Sequence, residues 1–297
     1  MDTTWFAVLL SLASALVGAV GTVLQQTAAA AAHDRGWRLL RRMVGRPRWL
    51  LGYGLGIVAV GLGAWALAVG ALLVVQPVGV TSLLFALPLA ARFYGVPMTT
   101  AQWVNAGILT LGLAAFVAIG NPSEGEAVQP LTRWLPVVVP ALVVVGVLSA
   151  LGRRQHGHRR ALLLALGTGV MFGIQAALSK AVITLGTSGG LDLVAVITSW
   201  ELYALVIMSV TSVALQQLAF QAADLSASQP AITVLTPISG AICGVAIFGE
   251  RLQTSAWGWL VVVTAILAMG WATVALARTA GARPAVRPPV TTPAASH

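Results

Sequence analysis

Six side chains able to bond or ionise stand inside stretches that are otherwise apolar: Gln25, Gln26, Gln175, Ser179, Lys180 and Glu201. A glutamine side chain has several hydrogen-bonding positions to satisfy, and lipid satisfies none of them. Placed in hydrocarbon, such groups bind a polar solute, line a wet pathway, or bond to one another. Lys180, the single lysine of the chain, lies about four residues from the end of its apolar run, so its ammonium either snorkels to the interface or faces a pathway. Glu201 lies about ten residues into its run, roughly 15 Å deep at 1.5 Å per residue. A carboxyl at that depth is protonated, paired or turned to the bundle interior. For Glu201 a pathway or proton-coupling role stands against a structural hydrogen bond. The face carrying Gln25 with Ser11, Ser14, Gly18 and Thr22, and the face carrying Gln175 with Thr168, Phe172 and Ser179, are each either a polar cavity or a close helix contact.

The elements that position these groups follow from composition. The chain has 297 residues, 58% hydrophobic and 8% charged, and a soluble domain carries about three times that charged fraction. Apolar runs at about 5–32, 50–71, 76–95, 101–120, 134–151, 161–184, 191–217, 226–248 and 255–277 are long enough for helices that cross hydrocarbon and too long for barrel strands. The expected fold is all-α, a polytopic transmembrane bundle of about nine spans. Basic loops set its direction. With residues 33–48 on the cytoplasmic side, alternation puts 14 of the 16 arginines there, Arg133 and Arg251 excepted. This predicts a multi-pass protein of the cell (inner) membrane, N-terminus outside and C-terminus cytoplasmic, with a disordered Ala/Pro/Thr-rich tail over 278–297.

Other chemistries find no footing. The net charge of +9 is spread over short blocks between spans rather than over one face, so nucleic acid is not an expected partner; the partners expected are the bilayer, a small-molecule or ion substrate, and a second copy as a homodimer. Cys243 lies inside an apolar run and is read as structural, with no metal site expected. His33, His156, His158 and His297 fall in loops or the tail. No nucleophile with a base at helical spacing and no phosphate loop is present, so neither catalytic residues, nor cofactor, nor enzyme activity is expected. Glu250 and Arg251 read as an interfacial pair, and Asp224 as a cap in a short turn.

The halves resemble each other. Gln76-Pro77 and Gln229-Pro230 each open a span, 153 residues apart; Gly95 to Trp103 matches Gly249 to Trp257 at Gly, Thr and Trp, 154 apart. An offset of five spans is odd, so equivalent helices must run in opposite directions. The expected plan is four plus one plus four: a first repeat over 1–120, a connecting span and basic loop over 121–160, and an inverted second repeat over 161–277. Inverted repeats and interrupted helices are the architecture of secondary transporters. Pro77 and Pro88 in the third run, and Pro230 and Pro237 in the eighth, either kink or open their helices. The stripe Gly52, Gly56, Ala59, Gly63, Ala66 and Gly70 reads as close packing.

Leu24-Gln25-Gln26, Gln76-Pro77-Val-Gly-Val-Thr81-Ser, Ser179-Lys180, Ala222-Ala-Asp224 and Gly249-Glu250 resemble motifs of the drug/metabolite transporter superfamily (EmrE/EamA-like). The nine-span layout is similar to its NIPA-type magnesium transporters rather than to the ten-span EamA type, over residues 5 to about 277. The resemblance implies a secondary transporter of a small polar or amphipathic metabolite, and the position of Glu201 in its run makes proton coupling through that residue one of its two readings. It also makes Lys180 the repeat equivalent of Gln26. A NIPA-like magnesium or divalent-cation permease is the alternative, but the Gly-Glu pair of that pattern is Gly63-Ala64 here. A non-transporting membrane scaffold is the third reading.

Overall fold

The computed structural model describes residues 3–30, 47–94, 98–123, 125–126, 128–187, 192–222 and 225–281. The basic stretch 33–46, Gly95, Glu124, Asp224 and the tail from 282 onward lie outside the described residues, as do the side chains of Gln25 and Gln26. The described residues form eleven helices: α1 Thr3–Ala30, α2 Pro47–Val69, α3 Leu72–Gly79, α4 Ser82–Tyr94, α5 Thr100–Gly120, α6 Leu131–Arg153, α7 Gly157–Thr187, α8 Leu193–Thr198, α9 Trp200–Ala222, α10 Leu225–Ala246 and α11 Ala256–Gly281. Two-residue strands, β1 Pro122–Ser123 and β2 Arg251–Leu252, pair antiparallel. Eight segments are long and apolar enough to cross a membrane. One of them, Leu72–Leu89, runs through the α3–α4 joint. In α10 the apolar stretch Pro230–Ala246 is shorter. The protein is an all-α, membrane-type bundle.

Its surface is that of a protein dissolved in lipid. Val60, Leu111 and Trp271 are each more than 70% exposed while Lys180 and Glu250 are buried, the reverse of a water-soluble fold. Without a hydrophobic drive between helices in lipid, close packing needs small residues. α1 and α2 meet on such a seam. A Cβ at Gly21 would lie 2.8 Å from the Gly52 carbonyl oxygen, and one at Gly63 would lie 3.1 Å from Ser14 Oγ. Ser14 Oγ donates to the Ala59 carbonyl at 2.7 Å. The Ser14–Gly18 face of α1 is therefore a packing face.

Two apolar runs are broken where hydropathy is continuous. The third begins earlier than its pattern suggests, at Leu72, and is interrupted after Gly79: Val80 N–H donates to the Pro77 carbonyl and Thr81 N–H to that of Val78. Pro77, inside this helix, has no N–H to give the Leu73 carbonyl. The seventh run divides at Ser199, whose backbone is extended (φ −77°, ψ 138°). Asp192 caps α8 through Ala195 N–H at 2.9 Å, and Ser199 Oγ accepts from Leu202 N–H at 3.4 Å, opening α9 as an N-cap does. This revises the depth inferred for Glu201: it stands in the first turn of α9, at one end of a 23-residue helix, not in the middle of a span.

Candidate functional site

α2 stops at Val69, and after Gly70 the chain turns through Ala71 (φ −66°, ψ 140°) into α3. A helix start leaves N–H groups without intrahelical partners, and Ala71 has no side chain with which to cap them. The cap arrives from the far half of the chain. Glu250 accepts from Leu72 N–H at 2.7 Å through Oε1 and from Leu73 N–H at 2.8 Å through Oε2. Lys180 Nζ lies 2.6 Å from Glu250 Oε1 and donates to the Gly70 carbonyl at 2.9 Å. The carboxylate thus sits at the positive N-terminus of α3 and the ammonium at the negative C-terminus of α2, each charge facing the helix end that stabilises it. Both side chains are shut off from the surface, 4% and 0% exposed. This overturns the reading of Glu250 as an interfacial partner of Arg251 and of Lys180 as a snorkelling group.

Local chain geometry brings Glu250 there. Gly249 adopts φ +71°, a conformation that L side chains avoid, and Glu250 N–H closes back onto the Gly244 carbonyl at 3.0 Å. Aromatic rings wall the pair. Lys180 Nζ lies 5.4 Å from the Phe248 ring centroid, near enough for a cation–π contact. Trp134, from the first turn of α6, stands edge-on to Phe248 at 5.7 Å and to Trp200 at 5.4 Å. It is 1% exposed, and its Nε1 has no hydrogen-bond partner among the described residues. The arrangement is a desolvated charge pair in which Glu250 accepts three hydrogen bonds and Lys180 donates two. It holds together α7, the turn after α10 and the α2–α3 joint.

The other expected site residues are dispersed. One to two turns along α7 from Lys180, Gln175 Oε1 accepts from Ser212 Oγ of α9 at 3.0 Å. Ser179 Oγ bonds back to the Gln175 carbonyl at 2.8 Å. Glu201 is buried, 5% exposed, and makes no hydrogen bond or ion pair among the described residues; it is separate from the Lys180–Glu250 pair. Gln25 and Gln26 belong to the last turns of α1. Among the described residues, no three His, Cys, Asp or Glu side chains come together. Sequence reading missed Glu250, Gly70 and Trp134 as parts of one centre. The signal available for Glu250 was charge balance: the one lysine needed a carboxylate.

No family model matches the chain, and no solved structure matches it. An uncharacterized protein of Corynebacterium glutamicum is 36% identical over 283 residues, covering 94% of this chain and 97% of that protein. Identity at this level over nearly the full length of both shows common descent, and the chain belongs to the family of that Corynebacterium protein.

Proposed function

We propose that this chain is a secondary transporter of the drug/metabolite transporter kind, nine spans in a four-plus-one-plus-four inverted repeat, moving a small polar or amphipathic solute across the cell membrane. The observation that carries this reading is the buried Lys180–Glu250 pair, which ties α7 and the α10 turn to the α2–α3 joint. An ionisable group inside a membrane bundle is costly to keep and marks a functional element by default. Here it lies at an interrupted helix between the two halves, where alternating access needs a contact that can be made and unmade.

The helix layout supports the repeat. α2 and α9 begin 153 residues apart, as do α3 and α10, and α1 and α7 begin 154 apart. α1 packs on α2 and α4; its counterpart α7 packs on α9 and α10; and α5 packs against α11. Trp103 and Trp257 each stand on the first turn of a helix, at opposite ends of the bundle, and are 59% and 78% exposed, as an inverted pair at two interfaces would be. Arginines support the orientation. α2, the α3–α4 segment and α11 each have one end near the ion pair or β2, and Arg48, Arg92 and Arg278 lie at the other ends, with Arg153, Arg154, Arg159 and Arg160 at the α6–α7 turn. Arg133 and Arg251 lie at the ion-pair end, the outer one in this reading. Proton coupling rests on Glu201, the buried carboxyl without a partner among the described residues.

The test is access of water to the α7 face. In vesicles of both orientations, a Gln175→Cys variant carrying Cys243→Ser is treated with a charged, membrane-impermeant thiol reagent. A transporter gives labelling from at least one side. Absence of labelling from both sides overturns the pathway and leaves the scaffold reading.

A further inference from the structure

The end of the bundle opposite the ion pair holds seven of the nine arginines among the described residues. None of the four described carboxylates is there: Glu126 lies in the segment before α6, Asp192 caps α8, Glu201 opens α9, and Glu250 follows α10. Positive charge at that end is therefore left without a protein counter-charge among the described residues. Between α6, α7 and α9 the same end contains a cleft of about 280 Å³. Arg153 and Arg160 line it together with the apolar side chains of Val145, Leu164, Met171 and Leu215.

We propose that this cleft binds an anionic phospholipid, with the phosphate between Arg153 and Arg160 and an acyl chain along the apolar wall. The chemistry matches at both ends of the ligand. A phosphate accepts charge-assisted hydrogen bonds from guanidinium N–H groups, and a guanidinium is the side chain best shaped to hold it. From Arg160 to Met171 the cleft wall follows α7 for about 16 Å, a length that suits an acyl chain and has nothing to offer a small hydrophilic anion. The proposal is independent of transport.

Full-length protein in neutral detergent is offered phosphatidylglycerol or phosphatidylcholine, and the retained lipid is read by native mass spectrometry. Phosphatidylglycerol is expected to be retained about tenfold more, the order that two arginines near an anionic headgroup produce. Arg153→Gln with Arg160→Gln abolishes that preference, whereas Arg154→Gln with Arg159→Gln, which removes the same charge outside the cleft lining, keeps most of it. Ala214→Phe, which fills the cleft without touching charge, lowers retention as well. Equal retention of the two lipids overturns the proposal, as does equal loss in both arginine pairs. Thermal stabilisation by inorganic phosphate as large as that by phosphatidylglycerol overturns the lipid as occupant.

Discussion

A Cβ placed on Gly244 would lie 2.5 Å from Glu250 Oε2 and 3.4 Å from Leu72 Cβ, so the carboxylate that caps α3 occupies the space a side chain on α10 would need. Glycine there is a requirement of the ion pair rather than of the helix. Gly244→Ala pushes the carboxylate off the Leu72 and Leu73 N–H groups and costs about 1–3 kcal/mol, as overpacking does. Gly54→Ala, at a helical glycine with nothing within 4 Å, is the control. Thermal unfolding in detergent should separate them by several degrees; equal melting temperatures would refute this role for Gly244.

Lys180 and Glu250 should be energetically coupled. Removing one partner, by Lys180→Met or Glu250→Gln, leaves a buried charge or its bonding groups unmatched, a change of about 3–5 kcal/mol. The double variant removes both charges and should cost less than the sum of the two, by about 0.5–3 kcal/mol. Strict additivity in a double-mutant cycle, read by denaturant unfolding in detergent, would mean that the 2.6 Å contact contributes nothing.

Why one half of this centre was legible and the other not is a matter of sequence distance. Lys180 declares itself, because a charge inside an apolar run must find a partner. Its partner lies 70 residues away, and the N–H groups that Glu250 caps lie 177 and 178 residues away. Local periodicity reports which residues are helical but not which helix ends meet. The depth of Glu201 was misjudged for a related reason. Hydropathy runs on through Ser199, where neither proline nor glycine marks the break, and the extended backbone and capping bond of Ser199 divide α8 from α9. By contrast, the small-residue stripe of α2 was readable because helix contact in lipid leaves a compositional trace.

That stripe yields a prediction of its own. A Cβ on Gly21 would lie 2.8 Å from the Gly52 carbonyl oxygen and 3.2 Å from Gly56 N, so Gly21→Ala must part α1 from α2 against backbone that cannot yield as a flexible side chain can. A loss of about 1–3 kcal/mol is expected, whereas Gly61→Ala on α2, with nothing within 4 Å, should be neutral within about 0.5 kcal/mol. Equal effects in a detergent unfolding series would show that the α1–α2 seam is looser than its glycines require.

Glu201 separates a coupling role from a folding role. Glu201 is a buried residue in the first turn of α9, where a negative charge faces the helix N-terminus favourably, and it has no hydrogen-bond partner among the described residues. Glu201→Gln keeps the shape and removes the exchangeable charge. If the carboxyl carries the coupled proton, counterflow of a transported solute in proteoliposomes persists in the variant, because exchange needs no net proton movement. Uphill uptake driven by a pH gradient is lost. Unchanged gradient-driven uptake would remove Glu201 from the coupling mechanism, and loss of counterflow as well would make it part of the solute path or of the fold.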